Sequence, residues 1–154
     1  MEIERKFLVR DLSCLHLAEA KSEIVQAFLS RDAERIVRIR IQDGQGTLTV
    51  KSRTDDPETR HEWEYPIGRD DASRLLGICL PEPVVKTRYY IPHLRGLRWE
   101  VDVFHGDNQG LVIAEIELPA AGMTLVLPPW IGDEITADTK YYNVSLSEKS
   151  YSRW

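Results

Sequence analysis

Apolar and polar residues alternate along most of this chain, the periodicity of strands whose two faces meet different surroundings. The alternation predicts strands near Glu2–Val9, Glu23–Ser30, Glu34–Gln42, Gly46–Arg53, Arg60–Pro66, Val84–Ile91, Leu97–Phe104 and Leu111–Leu118. Asp43-Gly44-Gln45-Gly46 reads as a hairpin turn, because glycine accepts the positive φ such turns need. Gly106-Asp107-Asn108-Gln109-Gly110 reads as another hairpin loop. Asp70–Leu76 predicts a short helix with acids in its first turn, where they suit the helix dipole. Leu12–Ala20 is a second helical stretch. Pro128-Pro129-Trp130 breaks the pattern, and Tyr141–Lys149 reads as a closing turn or helix. Eight strands and two hairpin signals predict a single antiparallel sheet.

The polar face of that sheet is charged to an unusual degree. Glu2, Glu4 and Lys6 share one face of the first strand, with Ile3 and Phe7 on the other. Arg38 and Arg40 alternate with Val37, Ile39 and Ile41, and Lys51 shares its parity with Thr49 and Arg53. Glu62 and Glu64 flank Trp63, and Lys86 and Arg88 flank Thr87. Arg98, Glu100 and Asp102 alternate with Trp99, Val101 and Val103, while Glu115 and Glu117 alternate with Ala114, Ile116 and Leu118. A wet face is the ordinary fate of one side of an antiparallel sheet. Such faces usually mix Thr, Ser, Gln and both charges, whereas most pairs here are pure in sign within a strand and switch between strands.

Closing the sheet would gather these groups in a lumen and turn the apolar face outward under helices. An eight-stranded barrel is narrow enough to be filled by side chains and one small ligand. Charges gathered there need partners, and a polyanion bound with divalent cations would satisfy both signs.

With 154 residues, 42% of them hydrophobic, the chain suits one domain with a real core. Its net charge of −5 argues against broad attraction to nucleic acid or an anionic membrane. Cys14 and Cys79 lack metal-ligand spacing and suit a reduced, cytoplasmic protein. The charged N-terminus is unlike a secretory signal, and no apolar run approaches the roughly 20 residues a bilayer requires. His16, His61, His93 and His105 show no ligand spacing, and no Ser-His-Asp or Cys-His arrangement is evident. Trp63 and Trp99 read as packing residues on the outward face.

Glu2-x-Glu4-x-Lys6 matches the ExExK signature of the CYTH superfamily, the triphosphate tunnel metalloenzymes. The likeness continues through Val37–Arg40, Leu48–Lys51, Lys86–Tyr89, Glu100–Phe104, Ala114–Glu117 and Pro129–Gly132, nearly the whole chain, and is greatest to the short bacterial members. The resemblance implies an α+β, mainly β fold: an eight-stranded antiparallel tunnel over residues 1–154, with a charged lumen and helices outside. It implies hydrolysis of a triphosphate, inorganic tripolyphosphate foremost, with Mg²⁺ or Mn²⁺. Glu2, Glu4, Glu115 and Glu117 resemble the metal-binding acids, with Asp102 a further acid nearby. Lys6, Arg38, Arg40, Lys51, Lys86 and Arg88 resemble the phosphate-gripping residues, and Lys140 falls where relatives carry a basic residue, often Arg. Glu4, Lys6, Arg40 and Lys51 are the catalytic candidates, and Glu62, Glu64 and Glu100 supporting acids. One departure is Gln26-Ala27-Phe28, where similar bacterial proteins often have Gln-Gly-Tyr. Nucleoside or thiamine triphosphate hydrolysis, adenylate cyclisation and non-catalytic polyphosphate or nucleotide binding remain as alternatives. The expected partner is a small-molecule triphosphate, without nucleic acid or membrane, and the outer face leaves room for a homodimer.

Overall fold

A computed structural model describes residues 1–154. Nine strands form: β1 (Glu2–Val9), β2 (Ala20–Ser30), β3 (Ile36–Gln42), β4 (Gln45–Arg53), β5 (Thr59–Ile67), β6 (Leu80–Pro92), β7 (Arg98–Phe104), β8 (Val112–Glu117) and β9 (Ile131–Glu134). The first eight run antiparallel in the order β5-β4-β3-β2-β6-β7-β8-β1, and β1 pairs back to β5 to close the barrel. That closure is short, Glu2 facing Arg60 and Ile3 facing Thr59, because farther along the same edge of β1 pairs with β9 instead. The tight β3–β4 turn places Asp43 at φ 50° and Gly44 at φ 81°, the paired left-handed residues a two-residue hairpin demands.

Two helices accompany the barrel, α1 (Arg69–Leu76) and α2 (Asn143–Glu148). Helix α1 lies so close to β4 that a Cβ on Gly46 would come within 2.7 Å of the Ala72 methyl. The helix expected over Leu12–Ala20 is a 3-10 segment, Leu12–Leu17, and β2 begins at Ala20.

Strand parity sorts the side chains as expected. Phe7, Trp99, Val101, Ala114 and Ile116 point outward into a core where the Trp99 ring meets Phe7 and Trp130 edge-on. Leu15, Met123, Leu125 and Trp130 cover this core, so irregular chain does much of the work expected of helices. Trp63 departs from the expectation. It is 49% exposed on the outside of β5, stacked on His61, because no element covers that strand.

The lumen-facing rows change character along the barrel. Lys6 gives way to Leu8, Lys86 to Val84, Asp102 to Phe104 and Glu115 to Ile113. Val84, Phe104, Ile113 and Leu146 of α2 pack together and seal that end with an apolar plug.

Candidate active site

Above the plug lies a cavity lined by seven carboxylates (Glu2, Glu4, Glu62, Glu64, Glu100, Glu115, Glu117) and seven cations (Lys6, Arg38, Arg40, Lys51, Arg60, Lys86, Arg88). Strand register explains the convergence: Lys6 lies opposite Glu115, Glu115 opposite Glu100, Glu4 opposite Glu117, and Lys51 opposite Glu62.

Lys6 donates to Glu4 at 2.8 Å and Glu115 at 3.0 Å. Burial disfavours its ammonium, but Glu115 and Glu4 outweigh that and hold its pKa above the usual lysine range. Lys51 reaches Glu2 at 2.9 Å and Glu62 at 3.2 Å. Arg88 spans Asp102 and Glu100, each at 2.7 Å. Burial would raise the carboxyl of Glu115, but Lys6, Arg88 and Lys86 keep it well below its normal range.

Glu117 has no ion pair. Partial burial, then repulsion from Glu2, Glu4, Glu100 and Glu62, raises its pKa. Arg38 and Arg40 show the opposite imbalance. Burial, with Arg38 and Arg88 nearby, lowers the pKa of Arg40, although a guanidinium keeps its charge at ordinary pH. Arg40 makes one side-chain hydrogen bond, from Nε to the Gln26 carbonyl oxygen at 2.8 Å. Arg38 donates through Nη2 to Thr49 at 3.1 Å, while its buried Nε has no partner.

Two expected residues stand elsewhere. Asp102, expected near metal, is fully buried outside the cavity lining, with both oxygens taken by Arg88 and Lys86. It is a floor anchor that aims two cations upward. Lys140, expected among the phosphate ligands, lies outside the cavity lining with its ammonium over the rings of Tyr141 and Trp154. Conversely, Arg60, Tyr142 and Asn143 line the cavity although none was expected there. Arg60 shares the parity of Glu62 and Glu64, a signal that could have found it. Its guanidinium lies 4.7 Å from the Tyr142 ring centre. Phe28 faces the lumen beside Ile36, an apolar stretch of an otherwise charged wall.

No three carboxylates stand together as a finished metal cage, since Glu2, Glu4 and Glu115 are turned to lysines. The donor chemistry nevertheless fits a hard divalent cation: Glu117 is crowded by like charges on an oxygen-rich side. Seven cations already face seven carboxylates, so an added triphosphate of about four to five negative charges would need further positive charge.

The CYTH domain model matches residues 1–151. The chain belongs to the CYTH domain family. An inorganic triphosphatase from Acetivibrio thermocellus is 38% identical over 153 residues, covering 99% of this chain and 97% of the relative. The inorganic triphosphatase of Nitrosomonas europaea is 32% identical over 151 residues, covering 95% and 96%. The crystal structure of the inorganic triphosphatase NE1496 superposes with a TM-score of 0.67 at 29% identity, over 96% of this chain and 94% of that one. The closed barrel is thus the CYTH tunnel.

Proposed function

We propose that this CYTH protein is a divalent-metal-dependent triphosphatase that cleaves inorganic tripolyphosphate to pyrophosphate and phosphate, the whole chain acting as one domain. The observation that carries this reading is the pair of under-partnered guanidiniums in the cavity, Arg38 buried and Arg40 partly so. Arg38 keeps a donor free, and Arg40 bonds only an amide. Buried donors without acceptors are costly, and phosphate oxygens supply acceptors in the geometry a guanidinium grips best. The inorganic triphosphatases at 38% and 32% identity support the same substrate.

Phosphoryl transfer asks a protein for positioning and charge neutralisation more than for covalent chemistry. Arg38, Arg40, Lys86 and Arg88 would bind the oxygens along one wall, and Lys6 and Lys51 would meet the chain from the acidic side. Glu2, Glu4 and Glu117 would hold Mg²⁺ or Mn²⁺, with Glu115 behind them fixing Lys6. When bound, the metal supplies Lewis-acid neutralisation of phosphate oxygens. Glu62, Glu64 and Glu100 keep Lys51, Arg38 and Arg88 oriented. No helix is long and apolar enough to cross a membrane.

The test is phosphate release from tripolyphosphate, ATP and thiamine triphosphate with Mg²⁺ or Mn²⁺. Tripolyphosphate should be the best substrate, and chelation should abolish turnover while leaving metal-free binding measurable. Faster cleavage of ATP or thiamine triphosphate would overturn the substrate. Tight binding without turnover under either metal would make the protein a binding module.

A further inference from the structure

Arg40 and Lys86, on β3 and β6, are joined through neutral groups. Arg40 Nε donates to Gln26 Oε1 at 2.8 Å, and Gln26 Nε2 donates to Asn143 Oδ1 at 2.7 Å. The same Asn143 oxygen accepts from Lys86 Nζ at 2.9 Å. Arginine and lysine can only donate, so both ends of this chain are fixed. Gln26 must turn its carbonyl to Arg40 and its amide to Asn143, and Asn143 must turn its carbonyl inward. Gln26 is fully buried and Lys86 is 1% exposed, while Arg40 and Asn143 are partly exposed to the cavity.

The chemistry of the bridge matters as much as its geometry. Lys6, Lys51 and Arg88 are held by carboxylates, which fix position but cancel charge, and Lys86 reaches at 2.6 Å an oxygen of Asp102 that it shares with Arg88. An amide fixes position and leaves the charge available to a ligand. We propose that Asn143, the first residue of α2, is a positioning residue that sets Arg40 and Lys86 for a triphosphate without adding negative charge beside either. This rests on the triphosphate reading of the cavity and extends it to a residue on the closing segment of the chain.

The experiment compares Asn143→Ala and Asn143→Asp with the unsubstituted protein, measuring tripolyphosphate Kd by calorimetry in EDTA, then KM, kcat and Tm. Hydrogen bonds to charged groups predict a roughly tenfold weaker Kd and higher KM for Asn143→Ala, with kcat changed by less than about threefold. Asn143→Asp keeps the accepting oxygen but adds a negative charge between two cations. It should retain or raise Tm and still weaken tripolyphosphate at least as much as the alanine variant. If Asn143 only anchored α2, aspartate would restore affinity along with Tm, and that result would overturn the proposal. So would an unchanged Kd in Asn143→Ala. Failure of the unsubstituted protein to bind or cleave tripolyphosphate is a different outcome, which removes the triphosphate reading and the inference with it.

Discussion

The two walls of the tunnel carry opposite imbalances. Around Glu117, carboxylates outnumber the cations that reach them, and its proton is held more tightly than usual. Around Arg40 and Lys86, cations crowd one another, and burial with like charge lowers the pKa of both. The cationic wall alone would be a folding liability, since buried charge without a partner is costly, whereas the acidic wall is wetter and its cost smaller. Together they describe a bipartite ligand, a cation for one wall and a polyanion for the other. Lys6 belongs to both descriptions, because it sits among the acids yet points into the cavity.

Removing Lys6 should therefore have the largest effect. Lys6→Ala leaves Glu4 and Glu115 facing each other without their shared cation. A loss of about a hundredfold or more in kcat/KM is expected, with a lowered Tm, since breaking a buried pair strands the remaining charge. Steady-state phosphate release and thermal melting would check it. Retained turnover would show that Lys6 serves the acids and not the substrate.

Arg40→Ala should sharpen the contrast by behaving differently. It takes charge from the crowded cationic wall, so Tm should hold or rise while KM for tripolyphosphate climbs roughly tenfold to a hundredfold. A Tm loss as large as that of Lys6→Ala would mean the two walls are not distinct.

Lys86 offers a pH test of the same idea. Burial, with Arg88 and Arg40 nearby, lowers its pKa, while Asp102 and Glu115 pull upward without prevailing. The unfolded chain then binds a proton that the folded cavity holds poorly, so unliganded stability should rise with pH between the folded and unfolded pKa values. An arriving polyanion reverses this by favouring the ammonium. Metal-free tripolyphosphate binding at alkaline pH should therefore take up a fraction of a proton. Calorimetry in buffers of differing ionisation enthalpy reads that fraction, and zero uptake would remove Lys86 from the substrate wall.

The barrel and most of its lining were legible because strand parity is a local property. Arg38/Arg40, Lys86/Arg88 and Glu115/Glu117 needed only a period of two to be placed on one face. Asp102 shares that parity, but depth along the lumen decides its role, and depth depends on barrel shear that no single strand encodes. Lys140, Tyr142 and Asn143 sit on a turn and a short helix without the sheet's period. Tertiary packing alone turns Tyr142 and Asn143 inward and leaves Lys140 on aromatic rings outside. The short strand β9 escaped for a related reason, since four residues after Pro128-Pro129 carry too little pattern.

The smallest expected effect concerns the acidic wall. The folded pKa of Glu117 is raised, so the fold disfavours its ionised form. Below the usual carboxylate range the group is protonated in folded and unfolded chains alike, and its contribution is fully present. As pH rises through its folded pKa, that contribution is lost. Glu117→Gln never incurs the loss, so in EDTA at pH 7 it should melt slightly higher than the unsubstituted protein. Glu117 is largely exposed, so screening holds the gain to roughly 1 °C, and the gap should close near pH 4. Adding Mg²⁺ or Mn²⁺ should invert the order, because the unsubstituted protein gains a bound cation that the glutamine variant holds less well. Metal-dependent melting curves across that pH range would decide it. An unchanged order with metal would move the cation away from Glu117 and leave the acidic wall without its counterpart to the phosphate.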